Sequence, residues 1–397
     1  MMERRVPNEL VDCILDNLYF DKATLLNCAL VGRAWLPSSQ RRIFREVILD
    51  QDFTSVAPHA LVDAYLKTTR HLDTLFAEKP YLASYVRSLE LRSFTQSSKA
   101  VCTTTASLVR RLSNLNSLSF DYVHWESMPA LLKAALTDIC QAPSITRFSA
   151  VDFYTPSFAK LASLLSHMRN LKMLHVSIYN GHIGWNVPNS SSFQKASHPP
   201  RSIQLDELQL HNVPGLMPWF QRDWCPFETR DLNSLVITGE VDMANLQYFG
   251  TDLRELTLGY TGNLDVNLAH LVDIRSLSLV RLYQADATSI VPWVEALFKS
   301  LLNPDGNLFP LQHLTIALRI NPLQPHHWDP WAAIDALLGK PEFASLKTVD
   351  FRLYPVPESW TSGGFPKIPG SVSKLLIDKL PFLEGSGKLV VQIGSLD

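Results

Sequence analysis

From residue 86 onward the chain repeats a six-residue pattern with apolar residues in the first, fourth and sixth places. LRELTL, from Leu253 to Leu258, is a clear copy. VRSLEL from Val86, LNSLSF from Leu115, ITRFSA from Ile145, LKMLHV from Leu171, LDELQL from Leu205, LNSLVI from Leu232, IRSLSL from Ile274, LQHLTI from Leu311 and LKTVDF from Leu346 bring the total to ten. Side chains alternate faces along a strand, so the fourth and sixth places point into a core while the third, fifth and seventh point out together. One such strand cannot bury its apolar pair alone, but stacked copies can, which predicts a solenoid.

Successive copies start 29, 30, 26, 34, 27, 21, 21, 37 and 35 residues apart. Most of these gaps hold apolar residues at helical spacing, which predicts return helices of unequal length over 106–115, 129–140, 156–168, 242–249, 290–302 and 330–338. The pattern resembles a degenerate leucine-rich repeat, with parallel strands on a concave face and helices on a convex one. Two Gly/Pro/Ser-rich stretches, 180–202 and 360–373, read as loops, and LVVQI at 389–393 reads as a closing strand.

Before the repeats the period changes. Pro7 stands at a helix start, and Leu10, Ile14, Leu15 and Leu18 form one stripe. A second helix is expected after Asp21, a good N-cap, carrying Leu25, Leu26, Ala29, Leu30 and Val31, and a third runs from Gly32 past Trp35 to Phe44. Three short helices make a very small core, so such a unit wants a partner. Residues 48–55 read as a strand and turn, and 56–86 as helix with a break or end near Pro80.

The stretch VPNELVDCILDNLYFDKATLLNCALVGRAWLPSSQRRIF, 6–44, resembles an F-box of the divergent kind found in fungal proteins. The resemblance rests on the apolar-Pro-x-Glu-Leu start, the run ending Leu30-Val31, the basic-x-Trp of Arg33 and Trp35, and the closing Arg-Arg-x-Phe. It implies docking on a Skp-type adaptor, which joins the protein through a cullin to a ubiquitin-transfer machinery. The positions that carry over are Val6, Pro7, Leu10, Ile14, Leu18, Leu25, Val31 and Trp35. Val6 stands where leucine is usual, and Gly32 and Leu36 stand where Cys or Ser and a polar residue are commoner. A capping hairpin for the solenoid is the plainer reading of the same helices.

The expected fold class is therefore α/β: a three-helix F-box over 1–50, a helical linker and cap over 51–85, and a leucine-rich-repeat-like solenoid over 86–397. The expected function is the target-recognition subunit of an SCF-type cullin-RING ubiquitin ligase, with an F-box scaffold lacking ligase activity as the alternative. Its target would meet the outward strand positions, among them Arg92, Asp121, Arg147, His175, Gln209, His211, Glu255, His313 and Arg352. That lining is mixed, small and polar, which suits recognition of a protein by shape and hydrogen bonds.

Composition narrows the choice. With 46% apolar and 19% charged residues in 397, the chain is globular, and a net charge of −2 with scattered Lys and Arg gives no footprint for nucleic acid. The opening MMERRVPNEL contains no apolar leader and no run reaches membrane-span length, so a cytoplasmic or nuclear location is expected. Five cysteines, odd in number and set among apolar residues, suit buried thiols.

Chemistry-bearing motifs are sparse, and neither catalysis nor a cofactor is expected. EGSGKL at 384–389 is a poor phosphate loop, with Phe382 where glycine is needed and Leu389 where Ser or Thr is. His326, His327 and Asp329 form the one cluster from which a hydrolytic or metal site could be drawn, although adjacent histidines on a Pro-flanked loop usually face water.

Overall fold

The computed structural model describes residues 7–18, 21–51, 58–95, 98–155, 158–178, 202–213, 216–239, 246, 248–250, 252–260, 268, 270–283, 287–302, 308–320, 328–356 and 367–394. The chain divides into two compact units, Met1–His198 and Pro199–Asp397.

Unit 1 opens with helices α1 (Asn8–Asp16), α2 (Lys22–Val31) and α3 (Leu36–Ile43), followed by strand β1 (Glu46–Asp50). Helices α4 (Pro58–Glu78) and α5 (Pro80–Ala83) come next, with Pro80 opening the second, as a proline at a first helical turn can. Strands β2 (Ser88–Arg92), β3 (Ser117–Asp121), β4 (Arg147–Val151) and β5 (Met173–Ser177) then alternate with α6 (Lys99–Val109), α7 (Ala130–Cys140) and α8 (Phe158–Ser166). The five strands pair in chain order and in parallel, third place against third place: Glu46 with Ser88, Ser88 with Ser117, Ser117 with Arg147, and Arg147 with Met173.

Unit 2 begins with the short strand β6 (Ile203–Gln204), β7 (Glu207–His211), the turn of helix α9 (Met217–Phe220), and β8 (Phe227–Glu228), which pairs with β6. Strands β9 (Ser234–Thr238), β10 (Glu255–Gly259) and β11 (Ser276–Tyr283) follow. Then come α10 (Ala287–Leu301), β12 (His313–Ile320), α11 (Trp331–Leu338), β13 (Thr348–Pro355), α12 (Gly370–Ile377), α13 (Pro381–Gly385) and β14 (Leu389–Ile393). From β7 to β14, leaving out β8, these strands make a second parallel ladder in chain order. Both units are thus α/β, built on parallel strands joined by helical or extended returns.

All ten copies of the repeat become strands, each starting at its third place. Their first, fourth and sixth side chains are buried throughout, as Leu253, Leu256 and Leu258 illustrate. Each such burial contributes on the order of 1.5–3 kcal/mol relative to exposure. The ladder also contains an eleventh copy not anticipated above. Phe44 fills a first place, with Val47 and Leu49 buried in the fourth and sixth, so β1 lies at 46–50 rather than 48–55. Phe44 packs edge-on against Phe76 of α4, ring centroids 5.9 Å apart, and the last residue of the helical opening is therefore the first of the strand series.

Strict alternation fails just past the seventh place, and the reason is backbone geometry. Ser93, Tyr122, Asp152, Asn212 and Arg281, each an eighth residue, have φ between 46 and 60°, and Gly239 has φ 90°. A left-handed residue turns the chain, so the ninth residue points inward instead of out. Phe94, Val123, Phe153, Val213 and Leu282 are all buried for this reason. In β12 and β13 the strand runs on, and there the eighth residues, Leu318 and Leu353, are the buried ones.

The returns depart from expectation mainly at α6, which covers 99–109 rather than 106–115. Ser98 caps it, its Oγ accepting from Val101 N at 3.3 Å, and Leu112 and Leu115 fall beyond its end in the approach to β3. Residues 130–140, 287–301 and 331–338 are helical much as expected, and α8 covers 158–166. Of the helix expected over 242–249, Leu246, Tyr248 and Phe249 are described, with Leu246 and Phe249 buried, while 180–201 and 360–366 of the two expected loops lie outside the described residues. In unit 1 the hydroxyls of Tyr65 and Thr105, 2.7 Å apart and buried, join α4 to α6, and burial raises the Tyr65 phenol above its ordinary pKa.

The end of unit 2 hangs on one carboxylate. Asp335 of α11, 4% exposed, accepts from Phe382 N at 2.9 Å and Leu383 N at 3.0 Å, capping α13 from outside that helix. Asp335→Ala would leave both amides unanswered and is expected to cost about 2–3 kcal/mol, with Asp335→Asn recovering part of it. A shift in urea midpoint with an unchanged slope checks this; a midpoint equal to wild type would show that the cap carries no stability.

Candidate functional site

The helical opening is assembled around three buried residues, Val11, Leu15 and Leu25, with Leu18, Cys28, Trp35 and Ile43 packed partly buried against them. Pro7 precedes α1 with φ −56° and offers no side-chain cap. Asp21 caps α2, one oxygen accepting from Thr24 N at 2.9 Å and the other from Thr24 Oγ1 at 2.5 Å, and these bonds hold its carboxyl below the usual range. Arg42 ties α3 to α1: it reaches Asp16 Oδ1 at 2.7 Å, Asp12 Oδ1 at 3.2 Å and the Asp12 carbonyl at 2.7 Å. The Asp12 carboxyl lies below its ordinary pKa, chiefly because it accepts from Ser38 and then because of Arg42, with burial opposing.

This packing sorts the residues carried over from the sequence. Of the expected stripe, Leu15 and Leu18 face the core, whereas Leu10 and Ile14, 55% and 46% exposed, do not, and Val11 joins Leu15 there instead. Leu25 is fully buried and is therefore a core residue, not a docking residue. Leu18 and Trp35 buttress the core, Pro7 is exposed, Val31 is 70% exposed, and Val6 lies outside the described residues. Three further apolar side chains, outside the carried-over docking positions, are exposed: Leu26, Leu30 at 85%, and Leu36. For Leu26 and Leu30 the signal is the composition of α2, KATLLNCALV, whose apolar residues spread around the helix although a small trio can bury only one side. Single exposed leucines are ordinary, but six large apolar side chains on three short helices are a candidate contact surface.

The outward strand positions form the second candidate. In unit 1, Arg92 pairs with Glu90 of its own strand at 2.6 Å, and Asp121 stands beside Arg92 in register. Burial and then the neighbouring Glu90 push the Asp121 carboxyl above its ordinary pKa. Arg147 is exposed, and His175 Nδ1 meets Ser149 Oγ at 3.0 Å. In unit 2, Gln209 Nε2 donates to Glu207 at 2.5 Å, His211 Nδ1 lies 2.6 Å from Thr238 Oγ1, and Arg352 pairs with Asp350 at 2.7 Å. Glu255 and His313 are exposed. Three of these partners are two residues along the same strand, and in two of the pairs, Arg92–Glu90 and Arg352–Asp350, opposite charges meet locally. The seventh places of β5, β9 and β10, Ser177, Thr238 and Gly259, are buried rather than open.

Catalytic candidates gain nothing from the structure. EGSGKL runs from the end of helix α13 into strand β14, whereas a phosphate loop leads from a strand into a helix. Asp329 pairs with Lys379 at 2.5 Å with its side chain 81% exposed, and His326 and His327 lie outside the described residues. Among the described residues no cluster of three or more His, Cys, Asp or Glu could hold a metal, and no helix is long and apolar enough to cross a membrane. No disulfide joins any of the five cysteines; Cys102, Cys140 and Cys225 are buried, but Cys13 is exposed. No known family model matches the chain, and no curated protein matches it.

Proposed function

We propose that the protein is the target-recognition subunit of an SCF-type cullin-RING ubiquitin ligase, an F-box joined to degenerate leucine-rich repeats. Helices α1–α3 would dock on a Skp-type adaptor, and the outward strand faces would hold a target protein. The observation that carries the reading is the apolar surface of the trio: Leu10, Ile14, Leu26, Leu30, Val31 and Leu36 are all exposed on helices whose core, among the described residues, holds three buried apolar side chains. A structure this thin gains stability by giving such a surface to a partner. The register-locked strand ladder supports the second half, since parallel stacking sets outward side chains in rows over each unit. The protein would do no covalent chemistry itself; it would raise the concentration of a target near the transfer machinery.

Co-expression with a Skp-type adaptor and a cullin tests the reading. The full chain is expected to co-purify with both, and a Leu10→Asp/Ile14→Asp variant to lose the adaptor by about tenfold or more. Equal, background recovery from both forms would refute docking. Adaptor recovered without cullin would favour a scaffold over a ligase.

A further inference from the structure

A row hidden by the near-neutral composition runs along the N-terminal edge of the strands. The second place of each copy carries a carbonyl that accepts two amides from the next strand. Arg45 O takes Arg87 N at 2.8 Å and Ser88 N at 3.0 Å, and Arg87 O takes Asn116 N at 2.8 Å and Ser117 N at 3.0 Å. Asn116 O and Thr146 O do the same, the latter for Lys172 N and Met173 N. These bonds fix the second places of β1 to β5 one strand spacing apart, so their side chains leave one edge at intervals of about 4.8 Å. In unit 1 that row is Arg45, Arg87, Asn116, Thr146 and Lys172, which includes three cations and no anion. The Lys and Arg residues that look scattered along the chain are therefore aligned here by the repeat.

At the start of the row α3 adds more positive charge. Arg41, Arg42, Arg45 and Arg87 line an open cleft of about 430 Å³ together with Asp12 and Asp16. Four arginines and two carboxylates thus line the cleft of a chain whose net charge is −2, and Arg42 bridges both aspartates.

We propose that this cleft and the row beyond it bind an acidic peptide segment of a protein partner, guanidinium groups meeting successive Asp or Glu carboxylates. The arrangement favours that ligand over others with negative charge. The row spans four strand spacings, roughly 19 Å, the length of about six extended residues, so it suits charge distributed along a chain rather than gathered at one phosphate. Single-stranded nucleic acid needs aromatic platforms beside the cations. Tyr85 is the one aromatic residue lining the cleft, and its ring already packs edge-on against Tyr81 at 6.0 Å. Arginine forks can match carboxylates in pairs of hydrogen bonds, and in the cleft Arg42 already donates to one oxygen of Asp16 from both Nε and Nη2. This surface is independent of adaptor docking through Leu10 and Ile14.

The test is fluorescence anisotropy of a labelled oligoglutamate peptide titrated with the full chain. Saturable binding is expected, weakening as salt rises toward physiological strength. Arg41→Glu/Arg87→Glu is expected to weaken it about tenfold or more, while Arg254→Glu/Arg275→Glu, the same change in net charge made in unit 2, leaves it within about twofold. Thermal melting checks the fold of each variant, and Arg41→Gln/Arg87→Gln carries the comparison should charge reversal unfold the chain. Equal loss from both reversed pairs would assign binding to net charge, and no loss from the first would remove the cleft. Tighter binding of an oligouridylate or of inorganic phosphate than of the peptide would likewise overturn the proposal.

Discussion

Leu25→Asp is expected to unfold the opening helices, while Leu30→Asp, five residues on in the same helix, leaves them folded and abolishes adaptor capture. Leu25 is fully buried and Leu30 is 85% exposed. The trio's core holds two other buried apolar residues, Val11 and Leu15. Each of the three contributes on the order of 1.5–3 kcal/mol, most of which is consumed by ordering the chain. Losing one leucine costs about 2–5 kcal/mol, and a carboxylate in its place adds a desolvation penalty, so no folded margin remains for so thin a unit. Arg42, bridging Asp12 and Asp16, cannot compensate, because Asp16 is largely exposed and such pairs are worth little. Hydrogen exchange over residues 8–43 reads the difference: protection lost with Leu25→Asp, retained with Leu30→Asp. Co-purification should fall in both variants, and only the exchange data separate a melted trio from an intact one with a spoiled surface. Retained protection in Leu25→Asp would show that the Val11, Leu15 and Leu25 cluster does not hold the trio together.

That pair also marks the limit of what the sequence could convey. The strand ladder was legible because its signal is redundant: three apolar places in a fixed pattern, repeated, leave one arrangement that buries them all. The starts of α1, α2 and α7 were legible from Pro7, Asp21 and Pro129 for equally local reasons. The inward face of α1 was legible only in part: Leu15 and Leu18 were placed on it, Val11 was not. Leu10 and Ile14 are four apart, and so are Val11 and Leu15, so either stripe satisfies the helical period and the neighbouring helices decide between them. Leu25 and Leu26 pose the same choice in α2. The left-handed turn at the eighth residue of five copies escaped for another reason. Ser93, Tyr122, Asp152, Asn212 and Arg281 share a left-handed backbone but no side-chain chemistry, so the position has no residue signature. The basic edge escaped because successive members of its row lie 26 to 42 residues apart in sequence and become neighbours only through the strand register.

Phe120→Ala is expected to destabilise unit 1 by about 3–5 kcal/mol, the largest effect of any single truncation proposed for the strand ladder. The ring occupies the sixth place of β3 and is fully buried. It stacks on Phe153 at 5.5 Å with an interplanar angle of 16°, meets Phe148 edge-on at 5.5 Å, and lies 6.0 Å from Trp125. Phe148 is the fourth place of the next strand, and Phe153 is the ninth residue turned inward by the left-handed Asp152. One side chain therefore joins a strand, its neighbour and the turn that ends the neighbour, and the neighbouring aromatics are too large to collapse into the space left. Stability in a stacked array depends on contacts between adjacent members, so the loss should appear as a lowered urea midpoint and as faster exchange in β2 to β4. Ser119→Ala, one residue earlier and facing outward, should change stability by no more than about 0.5 kcal/mol. If the two substitutions proved equally mild, the aromatic cluster would not be what binds β3 to β4, and the inward turn of the ninth residue would lose its energetic role.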